Sequence, residues 1–242
     1  MIETREIKIY IFKDDDGLFR ADRLCHAVGH YFRGGEANPH KDLANRIADR
    51  TCLQVEKTLR GKPFFPKIPK LHLSISHSGA YWVCALATEE IGVDIQEHVM
   101  HRNETRQEAV VRFAKMARRF FHPVEAGFVE AESFYRFFGV WAARESYVKY
   151  TGQGIDASFS EHCVIPKQQE QWPELTPLLT EQLETLPADG LIQRQESVPL
   201  GQGNPVSWHA KEVWFWETVL EDGYTLCVCA GDEMPCRIIR CF

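Results

Sequence analysis

One carboxylate constrains this chain more than any other residue. Asp94 lies in Gly92-Val93-Asp94-Ile95-Gln96, between β-branched neighbours that read as a buried strand. A charge taken out of water is costly unless it is paired or bound to a cation. The fold must therefore bring Asp94 a partner from elsewhere in the chain. Residues i and i+2 of a strand share a face, so Asp94 and Gln96 point the same way. About fifty residues on comes Trp141-Ala142-Ala143-Arg144-Glu145-Ser146-Tyr147-Val148-Lys149. It reads as helix, and Glu145 and Lys149, four apart, share one helical face. Two carboxylates and an ammonium are thus available to one site. They suit either a metal ion meeting a phosphate ester or a carboxylate pair stabilised by Lys149 and Arg144.

At 242 residues the chain can bury a full core as one large domain or two small ones. The net charge of −6 argues against wholesale nucleic-acid binding, so any anionic ligand must be held by local positive charge. Met1-Ile2-Glu3-Thr4-Arg5-Glu6 is charged and has no apolar core, so no secretory leader is expected. The longest uncharged stretch, Leu71 to Thr88, holds Ser, His and Gly and breaks at a turn; it reads as a hairpin and not as a membrane span. The eight cysteines are scattered, and reduced thiols in a cytosol are expected. Cys227-Val228-Cys229, with Cys236 and Cys241, lacks the spacing of a zinc knuckle. Cys227 and Cys229 share a face of an apolar strand and read as core.

Alternating apolar residues predict a strand over Ile7 to Phe12, with a turn at Asp14-Asp15-Asp16-Gly17. A helix follows from Arg20 to Phe32, capped at Gly34-Gly35. Leu71 to Ile75, Tyr81 to Ala87 and Gly92 to Ile95 read as three strands joined by turns at His77-Ser78-Gly79 and Thr88-Glu89-Glu90. Glu108 to Phe121 reads as an amphipathic helix closed by Pro123, and Ala131 to Tyr150 as a long helix closed by Gly152. Lys167 to Trp208 reads as loops over a short helix near Leu178 to Leu186. Val213 to Val219 and Thr225 to Ala230 form a hairpin across Glu221-Asp222-Gly223-Tyr224. Helix followed by antiparallel strands occurs twice, so the expected class is α+β, built as two similar halves, 1–125 and 126–242.

A third element lies upstream of Asp94: Gly61-Lys62-Pro63-Phe64-Phe65-Pro66, then Leu73-Ser74-Ile75-Ser76-His77-Ser78-Gly79. With these three segments, in this order and at these spacings, the chain resembles the 4'-phosphopantetheinyl transferases of the broad-specificity, surfactin-synthetase-activating type. That family carries G-[IV]-D-[IV]-E, W-x-x-K-E-S-x-x-K, G-K-P-x-x-P and N-[IL]-S-H-S. The resemblance covers roughly Leu53 to Gly154. It implies a pseudo-dimer with the active site in the cleft between halves, each half a helix on a small antiparallel sheet. It implies transfer of the phosphopantetheine arm of coenzyme A to a serine of an acyl, peptidyl or aryl carrier protein, with release of adenosine 3',5'-bisphosphate. A monomer follows, because one chain holds both halves of the cleft. The class often serves secondary metabolism.

The resemblance also implies roles. Asp94 and Glu145 would hold Mg2+, which favours hard oxygen ligands. Gln96 stands where many members have a third acid. It would bind the ion weakly, bind a metal-held water, or do neither. Glu145 is the candidate general base, acting directly or through water, and Lys149 would neutralise or protonate the departing phosphate. Lys149 could instead make only an exposed pair with Glu145. Arg144, in place of the more usual lysine, would face the carrier or a phosphate. Ser76, His77 and Lys62 would hold the nucleotide phosphates, with Arg20 and Arg23 the nearest further basic residues. Arg112, Lys115, Arg118 and Arg119 form a basic cluster on one helix, either a dock for an acidic carrier or a solvated face. The competing readings are a relative that binds coenzyme A or a carrier without transfer, and a Mg2+-dependent phosphohydrolase.

Overall fold

The computed structural model describes residues 5–14, 17–33, 53–132, 134–166, 197–199, 206–220 and 223–241. Two sheets stack face to face, and helices cover both outer faces. The first sheet is built from β1 (Ile7–Lys13), β4 (His72–Ser78), β5 (Tyr81–Ala87), β7 (Ser197–Pro199) and β11 (Cys236–Arg240), in the order β4-β5-β1-β11-β7. The second is β6 (Ile91–Glu97), β8 (Val206–Ala210), β9 (Val213–Leu220) and β10 (Tyr224–Ala230), in the order β6-β10-β9-β8. A short ribbon pairs β2 (Glu56–Lys57) with β3 (Pro63–Phe64).

The period-2 pattern of each strand decides this layering. On β1, Ile7, Ile9 and Ile11 meet Val93, Ile95, Leu226 and Val228 of the second sheet. Tyr10 and Phe12 point the other way, onto Leu24, Val28 and Phe32 of α1 (Arg20–Arg33). On the far side, Phe215, Cys227 and Cys229 pack under Phe113, Phe137, Phe138 and Ala142. These belong to α2 (Arg106–Phe120) and α4 (Phe134–Thr151), with α3 (Pro123–Glu132) between the two helices. Every residue of β5 and β10 is buried, because both faces of these strands are covered. Cys227 and Cys229 are core residues, as their spacing suggested, and burial pushes both thiols well above their usual range.

The α+β class expected from the sequence is what the structure has. The halves interlock, however. β6 leaves β5 to pair antiparallel with β10, and β11 leaves β10 to lie parallel to β1, so pairing crosses residue 125 in both directions. Several local expectations change. Ala131 and Glu132 are helical, as are Phe134–Thr151, in line with the helix expected from Ala131, and helix already runs from Pro123; proline, lacking an N–H, suits a first helical position. α2 starts earlier than Glu108, because Thr105 and Glu108 form a reciprocal capping box. His77 and Ser78 belong to β4, and the turn is Gly79-Ala80. The stretch read as loops from Lys167 to Trp208 supplies β7 and the start of β8. The expected helix near Leu178 to Leu186, the Gly34-Gly35 cap, Asp15-Asp16 and Glu221-Asp222 lie outside the described residues. No helix among the described residues is long and apolar enough to cross a membrane.

Candidate active site

Strand β6 runs directly beneath α4. Gly92, Asp94 and Gln96 occupy the strand face toward the helix, and no side chain at Gly92 separates the two backbones. Asp94 is 2 % exposed and accepts from three side chains. Lys149 Nζ donates to its Oδ1 at 2.7 Å. The Ser76 hydroxyl donates to the same oxygen at 2.7 Å. Gln96 Nε2 donates to Oδ2 at 2.7 Å. Lys149 Nζ also reaches Ser76 Oγ at 2.9 Å. The buried carboxylate that the sequence left in search of a partner thus finds an ammonium from α4 and a hydroxyl from β4.

Sequence reasoning missed how β4 holds this arrangement. β10 covers one edge of β6. Toward β4, the backbone N–H groups of Val93, Ile95 and Glu97 donate to the hydroxyls of Ser74, Ser76 and Ser78 at 2.9, 3.3 and 3.0 Å. Serine at every second position of Leu73-Ser74-Ile75-Ser76-His77-Ser78 was the available signal. Three small hydroxyls on one strand face can replace a neighbouring strand. Ser76 accepts from Ile95 while donating to Asp94, so it fixes strand position and carboxylate orientation together.

Glu145 is half-buried and makes no hydrogen bond or ion pair among the described residues. Burial first, and then the nearby negative charge of Asp94, push its carboxyl up to about 6, while Lys149 pulls it down. The exposed Glu145–Lys149 pair weighed from the sequence is replaced by the Lys149–Asp94 pair, with Lys149 27 % exposed. Two carboxylates near enough for the charge of Asp94 to raise the carboxyl of Glu145 are a hard-oxygen donor set that fits Mg2+, which completes its shell with water. The described residues hold no cluster of three His, Cys, Asp or Glu that would suit a metal. Glu97 does not replace the missing acid at position 96. Strand alternation sends it to the opposite face, beside Gly79 and Tyr224.

Lys149 also borders a pocket of about 200 Å3 shared with Arg60, Lys62, Ser74, Val148 and Gly152. Lys62 Nζ donates to the Tyr150 carbonyl at 2.6 Å and pairs with Glu90. Arg60 Nη1 donates to the Gln153 carbonyl at 2.9 Å, which ties the β2–β3 ribbon to the end of α4. Three cationic side chains therefore converge on one cavity in a chain of net negative charge. Ser76 is buried, with all its bonds to protein groups. His77 is exposed, on the opposite strand face from Ser76, and its side chain makes no hydrogen bond among the described residues.

Arg144 is not a phosphate- or carrier-facing residue. It is 2 % exposed and pairs with the fully buried Glu125. It donates to the His162 carbonyl at 2.6 Å, and its guanidinium lies 4.3 Å from the centre of the Phe159 ring. One residue of helical rotation, about 100°, takes it away from the face of Glu145. Arg23 likewise is structural: it is 2 % exposed and joins α1 to Asp14 at 2.6 Å. Of the basic cluster on α2, Arg112 is paired with Glu104 and Arg118 with Glu130. Lys115 and Arg119 border an open groove of about 500 Å3 with Val111, Met116 and Phe120.

Residues 90–229, more than half of the chain, match the family model described as the 4'-phosphopantetheinyl transferase superfamily. A 4'-phosphopantetheinyl transferase of Bacillus subtilis is 34% identical over 99 residues, 39% of each chain. The 4'-phosphopantetheinyl transferase Sfp of Bacillus subtilis (strain 168) is 28% identical over 127 residues, 51% of this chain and 52% of that one. A putative 4'-phosphopantetheinyl transferase of Synechocystis is 35% identical over 100 residues, 39% of this chain and 36% of that one. The chain spans about half or less of the length of these relatives.

Proposed function

This chain belongs to the 4'-phosphopantetheinyl transferase superfamily, and on that footing we propose that it transfers the 4'-phosphopantetheine arm of coenzyme A to a serine of an apo carrier protein. The other product is adenosine 3',5'-bisphosphate. The observation that carries this reading is the convergence of Asp94, Glu145 and Lys149 beside a cavity bordered by Arg60 and Lys62. With no ion bound, the Glu145 carboxyl is lifted to about 6, within reach of proton exchange near neutral pH. Glu145 takes the proton of the carrier serine. The serine oxygen then attacks the pantetheine-side phosphorus of the pyrophosphate. The bond to the nucleotide-side phosphate oxygen breaks, and Lys149 faces the charge that grows there. Lys62, which borders the cavity, and the exposed His77 are the proposed holders of the nucleotide phosphates.

Asp94 and Glu145 are the proposed Mg2+ ligands, and the bound ion would neutralise pyrophosphate charge. Gln96, whose amide N–H is committed to Asp94, orients that carboxylate. The groove on α2, apolar and cationic together, is the proposed dock for an acidic carrier. A division near residue 125 remains the proposed boundary between halves, with one helical layer on each sheet. A cytosolic monomer is proposed, because one chain supplies both carboxylates.

Intact-mass spectrometry of an apo carrier with this protein, coenzyme A and Mg2+ tests the reading, with a chelator control. A phosphopantetheine mass gain that the chelator removes is expected. Glu145→Gln should abolish the gain while leaving coenzyme A affinity within about tenfold, roughly 1.4 kcal/mol. Coenzyme A binding with no gain on any of a panel of acyl, peptidyl and aryl carriers would identify a binding relative without transfer.

A further inference from the structure

We propose that Lys149 is a built-in competitor of the divalent cation at Asp94, displaced to the substrate phosphate when metal and coenzyme A bind together. The inference rests on the two-carboxylate reading of the site given above. It starts from where the ammonium sits. Lys149 Nζ lies 2.7 Å from Asp94 Oδ1 and 2.9 Å from Ser76 Oγ. Ser76 fills a second position on the same oxygen, and Gln96 fills one on Oδ2. A cation approaching Asp94 meets a carboxylate already neutralised by one ammonium, with three of its roughly four acceptor positions filled and one on Oδ2 open.

Counting charge gives the consequence. Asp94 and Glu145 supply two negative charges, Lys149 supplies one positive, and Gln96 supplies none. The net charge facing an incoming dication is therefore a single negative. At ångström separations the ammonium repels that dication about as strongly as either carboxylate attracts it. Metal affinity in the protein alone is accordingly weak. An anionic pyrophosphate in the neighbouring cavity changes the balance in two ways. It adds oxygen ligands and negative charge for the metal, and it offers the ammonium a new partner.

The geometry allows that exchange. Lys149 is 27 % exposed at its side chain and borders the same cavity as Lys62 and Arg60. A four-carbon stem can swing the ammonium from Asp94 into that cavity without moving α4. By linkage, the metal must then raise the affinity for coenzyme A by the factor by which coenzyme A raises the affinity for metal.

The test is Mn2+ titration of the full chain, followed by the electron paramagnetic resonance signal of free Mn2+, with and without coenzyme A. Lys149→Met should bind Mn2+ alone at least about tenfold more tightly than wild type. Lys149→Arg should stay near wild type, and Asp94→Asn should lose the site. Coenzyme A should tighten Mn2+ binding by a larger factor in wild type than in Lys149→Met. Circular dichroism checks folding, and Lys149→Gln, which keeps a polar tip, replaces Lys149→Met if that variant does not fold. Equal or weaker Mn2+ affinity in the uncharged variants overturns the competition, and leaves the transferase reading standing wherever the carrier assay shows transfer. No Asp94-dependent Mn2+ binding in any protein, even with coenzyme A, overturns this inference together with the two-carboxylate metal site.

Discussion

A Cβ on Gly92 would lie 1.9 Å from the backbone carbonyl oxygen of Ser146, so strand β6 and helix α4 touch backbone to backbone. This contact sets how closely Asp94 can approach Glu145 and Lys149. Even the smallest added side chain must push the helix away, because the obstacle is backbone and cannot rotate aside. Gly92→Ala should cost about 1–3 kcal/mol of stability, the range for an overpacked core. It should also lower kcat for carrier modification by more than tenfold. Urea denaturation and the carrier assay measure the two effects, and wild-type turnover would show that α4 need not sit this close.

The buried pair of Arg144 and Glu125 predicts a variant that is unstable without being defective in binding. Glu125 also accepts from the N–H groups of Val164 at 2.7 Å and His122 at 3.0 Å, so it anchors the start of α3 and the segment after the 3-10 turn (Ala157–Glu161). Arg144→Met leaves that carboxylate without its cation. Breaking a buried pair from one side costs about 3–5 kcal/mol. Denaturant midpoints should fall accordingly. Isothermal titration at low temperature should find coenzyme A affinity within about threefold of wild type. A large loss of affinity in folded Arg144→Met would return Arg144 to the phosphate site.

Glu217 gives a pH dependence. It is 4 % exposed, and its Oε2 has no hydrogen-bond partner among the described residues. Its Oε1 occupies the notch left by Gly139 of α4, 2.6 Å from where a Cβ would lie. Burial pushes its carboxyl up to about 7, partly offset by Arg136. The native state therefore keeps a proton that the unfolded chain releases near 4.5. Stability falls as pH rises through that window and stays lowered above it. His98, held near 4 by burial, acts in the opposite direction as pH falls, so the informative quantity is the difference between variant and wild type. Relative to Glu217→Gln, wild type should lose roughly 2 kcal/mol between pH 5 and pH 8. Parallel stability curves for the two proteins would mean that Glu217 does not titrate in this range.

The groove on α2 predicts a defect confined to the carrier. Val111 is 46% exposed and Phe120 36%, and Lys115 and Arg119 stand between them. Lys115→Glu with Arg119→Glu should raise KM for an acidic carrier about tenfold and leave coenzyme A affinity unchanged. Added salt should narrow the gap between variant and wild type, since screening weakens exposed charges. Equal KM values for the two proteins would assign the charges to a solvated face.

Periodicity made the site partly legible. An Asp between β-branched residues required a partner, and Glu145 and Lys149 four apart required a shared helical face. Both requirements hold in the structure, as does the core role of Cys227 and Cys229. The same reasoning misjudged Arg144, because residue type alone does not say that its side of α4 faces Glu125. It missed β11, whose five residues pair with β1 from the other end of the chain. The resemblance implies a phosphate role for Ser76, and the structure adds its bonds to Asp94, Ile95 and Lys149, which no local pattern announces.

By itself, then, the sequence determined the faces: which residues of a strand or helix point together, which must be buried, and that Asp94 needs a cation. Only the tertiary structure decided which faces meet. It sent β6 out of the first sheet, placed β11 against β1 and laid α4 on Gly92. Facing within an element is a local consequence of backbone period. The choice of neighbour depends on contacts between residues far apart in the chain, and no local pattern encodes them.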